Sequence, residues 1–427
     1  MKTRSVGLGE GYAALFNAQR GGVLDPPWLA GRRDDAFARL QQSGLPTRHV
    51  EEWKYTDISF LAGQTPAAPV GDAVAVDPAR LPMWHEDDLN IVLVDGRLQQ
   101  ELSPALESGL LEWARLGDLG KNPETTPVAA HPAALLHAAF VHDGVLVRIP
   151  ANAQLARRVH ILLLHASLTP HALLAPWVAI FAGANSQARV VITAYSLSDA
   201  ACLHLPRVMV SADSESNLAI SQAQLLNTQS WQLATSRVEL QRDAHVAHLE
   251  AGLGAALARH DLTAVLLESG ARVELNGLYA LDGKRHADFH TLIEHRQPNC
   301  SSRQVYKGIL AGKAAGVFNG AVRVFPGASG TDGYQLNKAL LMSREAQMFS
   351  KPELLIDNDD VKCSHGATIG QINPQELFYL QSRGIPEAQA RHMLARGFVE
   401  DIMFQQGDDR LRADLDGALD RYFAAHE

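Results

Sequence analysis

Ala188-Arg189-Val190-Val191-Ile192, Asn217-Leu218-Ala219-Ile220, Ala244-His245-Val246-Ala247-His248-Leu249, Ala271-Arg272-Val273-Glu274-Leu275 and Asn299-Cys300-Ser301 are five short strand-like runs that decide the fold. They begin 29, 27, 27 and 28 residues apart. A near-constant period of this size marks a stacked repeat, in which each unit buries its apolar face against its neighbours. Each unit holds two strand-like runs, as in Val273 to Ala280 followed by Asp288 to Ile293. No helix-length segment separates them, which disfavours a doubly wound α/β sheet. An Ig-like sandwich also has evenly spaced short strands, but the drift-free repeat and a β region of some two hundred residues favour a β-solenoid. Hexapeptide repeats of the acyltransferase kind are absent.

Outward from this core the pattern changes. Residues 1–84 read as helical with irregular connections. Asp34-Asp35 open a helix that turns Phe37, Leu40 and Leu45 inward, with Gly44 and Pro46 as stop signals. Residues 61–82, rich in Ala, Pro, Gly and Val, read as a loosely packed connection. Ile91 to Val94 followed by Asp95-Gly96 predicts a strand and turn. The β core is placed at 85–368, regular from about 145, and residues 369–427 return to helix. There, a run with Leu377, Phe378 and Leu380 breaks at Gly384-Ile385-Pro386. A second helix from Glu387 carries Met393, Leu394, Phe398, Val399, Ile402 and Met403 as an apolar stripe. That stripe needs a cover, either the end of the solenoid or a partner protein.

Composition excludes several classes. With 46% hydrophobic and 20% charged residues the chain is an ordinary globular protein rather than a disordered one. A net charge of −9 argues against binding to nucleic-acid backbones. Three scattered cysteines, Cys202, Cys300 and Cys363, suit a reducing compartment better than a disulfide framework. Met1 to Glu10 lacks the apolar stretch of a secretory signal. His160 to Ala188 holds no Asp, Glu or Lys, but Pro170 and Pro176 divide it into runs too short to cross a bilayer. It reads as two buried strands joined by a turn. A cytoplasmic protein without membrane contact is expected.

Cys363 and His365 are the principal candidates for chemistry. In extended backbone, positions i and i+2 share a face, and thiolate with imidazole suits borderline transition metals. Two donors are too few for a closed site, since zinc and iron–sulfur clusters normally take four. A buried cysteine beside a hydrogen-bonded histidine is the plainer alternative. His286, Asp288, His290 and Glu294 also share one strand face, with His295 on the other. Among eighteen histidines such a grouping arises readily, so a hydrogen-bonded or solvated face competes with a metal site. Glu51 to Thr56 reads as an amphipathic linker docking Trp53 and Tyr55 on the core. The glycine spacing near Lys284 and Lys313 does not make a phosphate loop, so no nucleotide site is expected. No nucleophile elbow is present. Asp357, Asp359 and Asp360 read as a turn rather than as the paired carboxylates of a carbohydrate-active enzyme. A standalone β-helical enzyme or sugar-binding module is the rival class.

The run Asp359-Asp360-Val361-Lys362-Cys363-Ser364-His365-Gly366-Ala367-Thr368-Ile369-Gly370-Gln371, continuing through Leu377 to Ile385, closely resembles the SufD family of iron–sulfur cluster assembly scaffolds. Glu51-Glu52-Trp53-Lys54-Tyr55-Thr56, His290-Thr291 to His295, Ser302-Arg303-Gln304, Val317-Phe318-Asn319-Gly320 and Thr331-Asp332-Gly333 match in order. SufB-like chains are similar but longer and richer in cysteine. The resemblance implies a right-handed parallel β-helix flanked by helical regions and a non-catalytic scaffold. It further implies pairing with the paralogue SufB, or with a second copy when alone, and binding of the SufC ATPase through the C-terminal helices. Phe378, Met393, Phe398 and Ile402 would serve that contact. A transient iron–sulfur cluster would form at the SufB–SufD interface, with His365 among its ligands and Cys363 as a second candidate. The remaining ligands would come from the partner, and ATP would act through SufC. Cys202 and Cys300 are expected to be packing residues.

Overall fold

The computed structural model describes residues 4–20, 26–69, 73–103, 111–124, 126–404 and 407–424. Residues 1–3 of the N-terminal stretch and 70–72 of the Ala/Pro-rich connection lie outside them. The protein is mainly β. Its core is a β-solenoid in which successive coils give one strand to each of two parallel sheets. The first sheet stacks Gln187–Ser196, Asn217–Leu225, His245–Gly252, Arg272–Leu281, Ser301–Leu310, Thr331–Leu341 and Val361–Gln371. The second stacks Trp231–Leu240, Leu257–Leu266, His286–His295, Ala315–Val324 and Gln347–Ile356.

Equivalent residues of each coil lie directly in register. One column runs Val190, Ile220, His248, Leu275, Gln304, Gln335 and His365. Alternate residues point into the lumen, and there Val190, Ile220, Val273, Leu275, Phe289 and Phe318 form one continuous apolar core. The period has a local cause. Six successive coils, up to the one that enters at Thr331, reach the first sheet through one residue with positive φ: Asn185, Glu215, Asp243, Gly270, Asn299 and Gly330. Asn, Asp and Gly tolerate this left-handed conformation. The amide of each corner bonds to the corner of the next coil, as Asn299 N–H does to the Ser329 carbonyl.

The expected strand and turn at 91–96 is found, as Leu89–Val94 and a two-residue turn with positive φ at both Asp95 and Gly96, the hairpin geometry. The segment 160–188 holds three short strands, Val159–His165, Ala172–Leu174 and Trp177–Ala182, before the regular coils begin, rather than two. Pro170 and Pro176, which donate no backbone hydrogen bond, fall between them.

The described residues hold six α-helices: α1 Glu10–Gln19, α2 Pro27–Ser43, α3 Pro132–Phe140, α4 Pro374–Ser382, α5 Glu387–Phe404 and α6 Asp409–Ala424. Helix α2 starts at Pro27, not at Asp34. Proline in the first turn is pre-organised for helix, and Leu29 in that turn is buried together with Leu40 and Leu45. Gly44, with φ 66°, closes it. Helices α1 to α3 pack with Trp177, Leu203 and Leu233 on the outer face of the second sheet. Helices α5 and α6 cover the outer face of the first sheet, where Val399, Ile402, Leu415 and Leu419 meet Leu278, Val305 and Ile309. They lie along the side of the solenoid, not across its end. That side is apolar on its own account, so it competes successfully for the helices.

The two ends therefore differ. At the N-terminal end each sheet closes with an antiparallel strand, Arg97–Leu98 on one and Glu112–Arg115 on the other. At the C-terminal end Gln347–Ile356 and Val361–Gln371 are the outermost strands of their sheets. No helix among the described residues is long and apolar enough to cross a membrane.

Candidate functional site

Cys363 and His365 stand on the last strand of the first sheet, Val361–Gln371, at lumenal positions. In an inner coil these positions would be sealed by the next rung. Here the rung is terminal, so Cys363 is half-buried and His365 exposed. Apart from Met348, every residue of the two terminal strands is half-buried or exposed. Leu355, Ile356 and Ile369 add exposed apolar surface to this rim.

The rungs below are fitted to these two side chains. Beneath Cys363 comes Gly333, then Ser302. A Cβ at Gly333 would lie 3.2 Å from Cys363 Sγ and 3.7 Å from Ser302 Oγ, so the missing side chain leaves room for the sulfur. Ser302 in turn bonds to His295 Nε2 at 2.8 Å. Beneath His365 come Gln335 and Gln304, both fully buried, with Gln304 donating to Thr291. Partial burial, reinforced by the Asp332 carboxylate and partly offset by the Gly333 amide, holds the Cys363 thiol above its ordinary pKa. Burial drives His295 down to about 4, keeping it a neutral hydrogen-bonding group. Among the described residues no three His, Cys, Asp or Glu side chains converge as a metal site. The terminal rung offers two donors side by side on one strand.

Several sequence motifs thus meet at one place: His290 to His295, Ser302 to Gln304, Val317 to Gly320 and Thr331 to Gly333 all contribute lumenal residues below the KCSHGAT strand. Sequence reasoning missed Gln335. The signal is the repeat itself, since Gln304, Gln335 and His365 follow one another at 31 and 30 residues, beyond the aligned runs that end at Asn299.

The second histidine cluster is occupied by structure. Asp288 is buried and paired with Arg259 at 3.1 Å, His290 at 3.0 Å and the Thr56 hydroxyl. His286 Nε2 bonds to the same hydroxyl at 2.8 Å. Arg259 also grips Asp261, donates to the Glu52 carbonyl and stacks 3.7 Å from the Trp53 ring centre. Burial alone would raise the Asp288 and Asp261 pKa values; the adjacent Arg259 charge reverses this and holds both carboxyls below their usual range. The Glu51 to Thr56 stretch is therefore a strap over the second sheet. Trp53 is buried in it, and Tyr55 stacks on Phe349.

Of the expected partner-binding residues, Phe378 and Met393 are 71% and 48% exposed. Phe398 lines, with Met393, a groove of about 540 Å³ between α5 and the ends of the last strands. Ile402 is fully buried against the first sheet and belongs to the packing of α5, not to an accessible surface. Cys202 and Cys300 are buried, and burial pushes the Cys202 thiol up to about 12.

Residues 165–398 match the SufBD core domain of SUF-system FeS cluster assembly, and residues 8–64 match the SufBD protein N-terminal region. The iron–sulfur cluster assembly SufBD family protein slr0076 of Synechocystis is 29% identical over 402 residues, covering 88% of this chain and 87% of that protein. SufD of Escherichia coli is 29% identical over 396 residues, 89% of this chain and 90% of that protein. SufD of Bacillus subtilis is 24% identical over 420 residues, 93% and 94% of the two chains. With the core-domain match alone spanning more than half of its length, the chain belongs to the SufBD family of iron–sulfur cluster assembly proteins and is a homologue of SufD.

Proposed function

We propose that the chain is a non-catalytic scaffold whose open C-terminal rung pairs edge to edge with a SufB-like paralogue. The nascent iron–sulfur cluster forms at that junction. The observation that carries this reading is the coincidence of an uncovered solenoid end with the two soft donors, Cys363 and His365, on its last strand. A long edge strand with apolar side chains is a surface that proteins normally cover or pair, and strand addition supplies both backbone bonds and register. Two donors on this side leave the rest of the coordination set to the partner. An incomplete site also suits an assembly function, because the product must leave. Helices α4 and α5, with Phe378, Met393 and the adjoining groove, are the surface proposed for a SufC-like ATPase.

The test is reconstitution from purified components, with complex size and cluster formation as readouts. Ile369→Lys together with Leu355→Asp is expected to abolish pairing with the SufB-like chain while leaving the β-rich fold intact. His365→Ala is expected to preserve pairing and to reduce cluster formation. Pairing that survives the first change removes the edge-to-edge reading; undiminished assembly by the second removes His365 from the site.

A further inference from the structure

Gln304 and Gln335 form a buried ladder of primary amides directly under His365, set against the continuous apolar core of the lumen. A buried amide needs partners for its N–H groups and its oxygen. These bonds run one way: Gln335 Nε2 donates to Gln304 Oε1 at 2.7 Å, and Gln304 Nε2 donates to Thr291 Oγ1 at 2.6 Å. Gly320 makes the space, since a Cβ there would lie 2.3 Å from Gln335 Nε2 and 3.0 Å from Gln304 Oε1. The ladder ends in Gln335 Oε1, a buried acceptor with no donor among the described residues. Leaving such an acceptor unmet in a dry interior is destabilising, so a donor is expected to reach it. The side chain on the rung above, about 4.8 Å away along the stack, is His365.

We infer that Gln335 is the positioning residue for His365: when the exposed imidazole turns down onto the ladder, Oε1 accepts one of its N–H groups and leaves the other ring nitrogen, with its lone pair, facing the open end. A hydrogen bond to one nitrogen selects the tautomer in which the other nitrogen can bind a metal, and it fixes the plane of the ring. The ladder then passes the constraint to Thr291 in the second sheet, so both sheets hold the imidazole. This inference rests on the reading of His365 as a cluster ligand and adds the group that aims it.

The tautomer of His365 is measurable without any cluster. In the deuterated, 15N-histidine-labelled full chain, at a pH where the ring is neutral, the His365 resonances (assigned by their loss in His365→Ala) are expected to show one dominant tautomer. Gln335→Met keeps the volume but removes the amide acceptor, and should give a mixture of tautomers. Gln335→Glu, which retains an acceptor oxygen, should restore the single form. Gly320→Ala should act like Gln335→Met by pushing the same amide aside, and it supplies the readout if Gln335→Met fails to fold. In the reconstituted complex Gln335→Met should lower cluster formation about tenfold or more. An identical tautomer ratio in the parent chain and Gln335→Met overturns the positioning role. Undiminished assembly by His365→Ala instead strikes the functional reading on which the inference rests.

Discussion

Gly277 and Gly308 act at the scale of single residues. Tyr306 stacks in register beside Gly277 and Tyr279 beside Gly308, so each ring lies over a neighbour that lacks a side chain. A Cβ at Gly277 would lie 2.1 Å from the Tyr306 ring, and one at Gly308 1.9 Å from the Tyr279 ring. Both rings are fully buried in the lumen, where small-to-large changes cost roughly 1–3 kcal/mol. Gly277→Ala and Gly308→Ala should each lower unfolding stability by at least that amount in urea titrations. Gly31 is the contrasting case: it is exposed within α2, with nothing within 4 Å of its missing Cβ. Gly31→Ala should raise stability by about 0.5–1 kcal/mol through helix propensity. Equal effects at the three positions would contradict the packing described. The same dependence on register explains what was hidden at the candidate site. KCSHGAT was legible as a donor pair on one face because parity is local. That Gln335 lies beneath His365, and that the pair opens to solvent, depends on counting coils to the end of the stack.

At the scale of elements, the strands were legible because their period is enforced twice, by the inward alternation and by the left-handed corner residue of each coil. The inward parity of His295, opposite to that of His290, followed from the same alternation. Helix α3 was not expected, and α6 was expected only as part of the helical region 369–427. Helix α3 is buried on all sides, so it shows no polar face to give a helical period. Helix α6 did carry its signal: Asp408 caps it, accepting from the Arg410 and Leu411 amides, and Leu411, Leu415, Ala418, Leu419 and Tyr422 form its buried stripe. The apolar stripe of α5 was legible, but its cover was not. Helical spacing says which face is buried, not against what. The buried face of α5 and the exposed surface of α4 and α5 make separate predictions. Ile402→Ala should cost about 2–5 kcal/mol in stability, because Ile402 lies under the helix. Phe378→Asp and Met393→Glu should leave the urea midpoint nearly unchanged and weaken binding of a SufC-like ATPase, measured by titration of the purified proteins. Unaltered affinity would leave this exposed surface without the assigned role.

At the scale of the whole molecule, the solenoid buries many histidines that have no carboxylate partner, and this fixes how stability varies with pH. His160 bonds to Thr193, His204 to Gln232 and His248 to Gln222, all neutral partners. Burial drives the pKa values of these three, and of His142, down to about 3. In the unfolded chain each returns to its ordinary value near 6.5. Between those values the unfolded state binds a proton that the native state refuses, so acid favours unfolding. The stabilising contribution is complete above about pH 6.5 and is lost as pH falls toward 3. Each such histidine gives a slope of about 1.4 kcal/mol per pH unit in that window. His260 works in the opposite sense. Burial would lower it, but Glu250 at 2.7 Å outweighs burial and raises its pKa; its contribution is complete below 6.5 and declines as pH rises through the elevated value. With nine histidines held below their ordinary value by burial and this one raised, unfolding free energy should fall steeply from pH 6.5 downward. His160→Gln keeps a hydrogen-bonding side chain but removes the titration. Its stability should depend on pH less steeply than the parent's by about 1.4 kcal/mol per unit between pH 6 and 4, read from urea midpoints at each pH. Parallel curves for the two proteins would mean that His160 titrates alike in the folded and unfolded states, and that the covered outer face of the first sheet, where His160 lies beside Val191, is wetter than its packing implies.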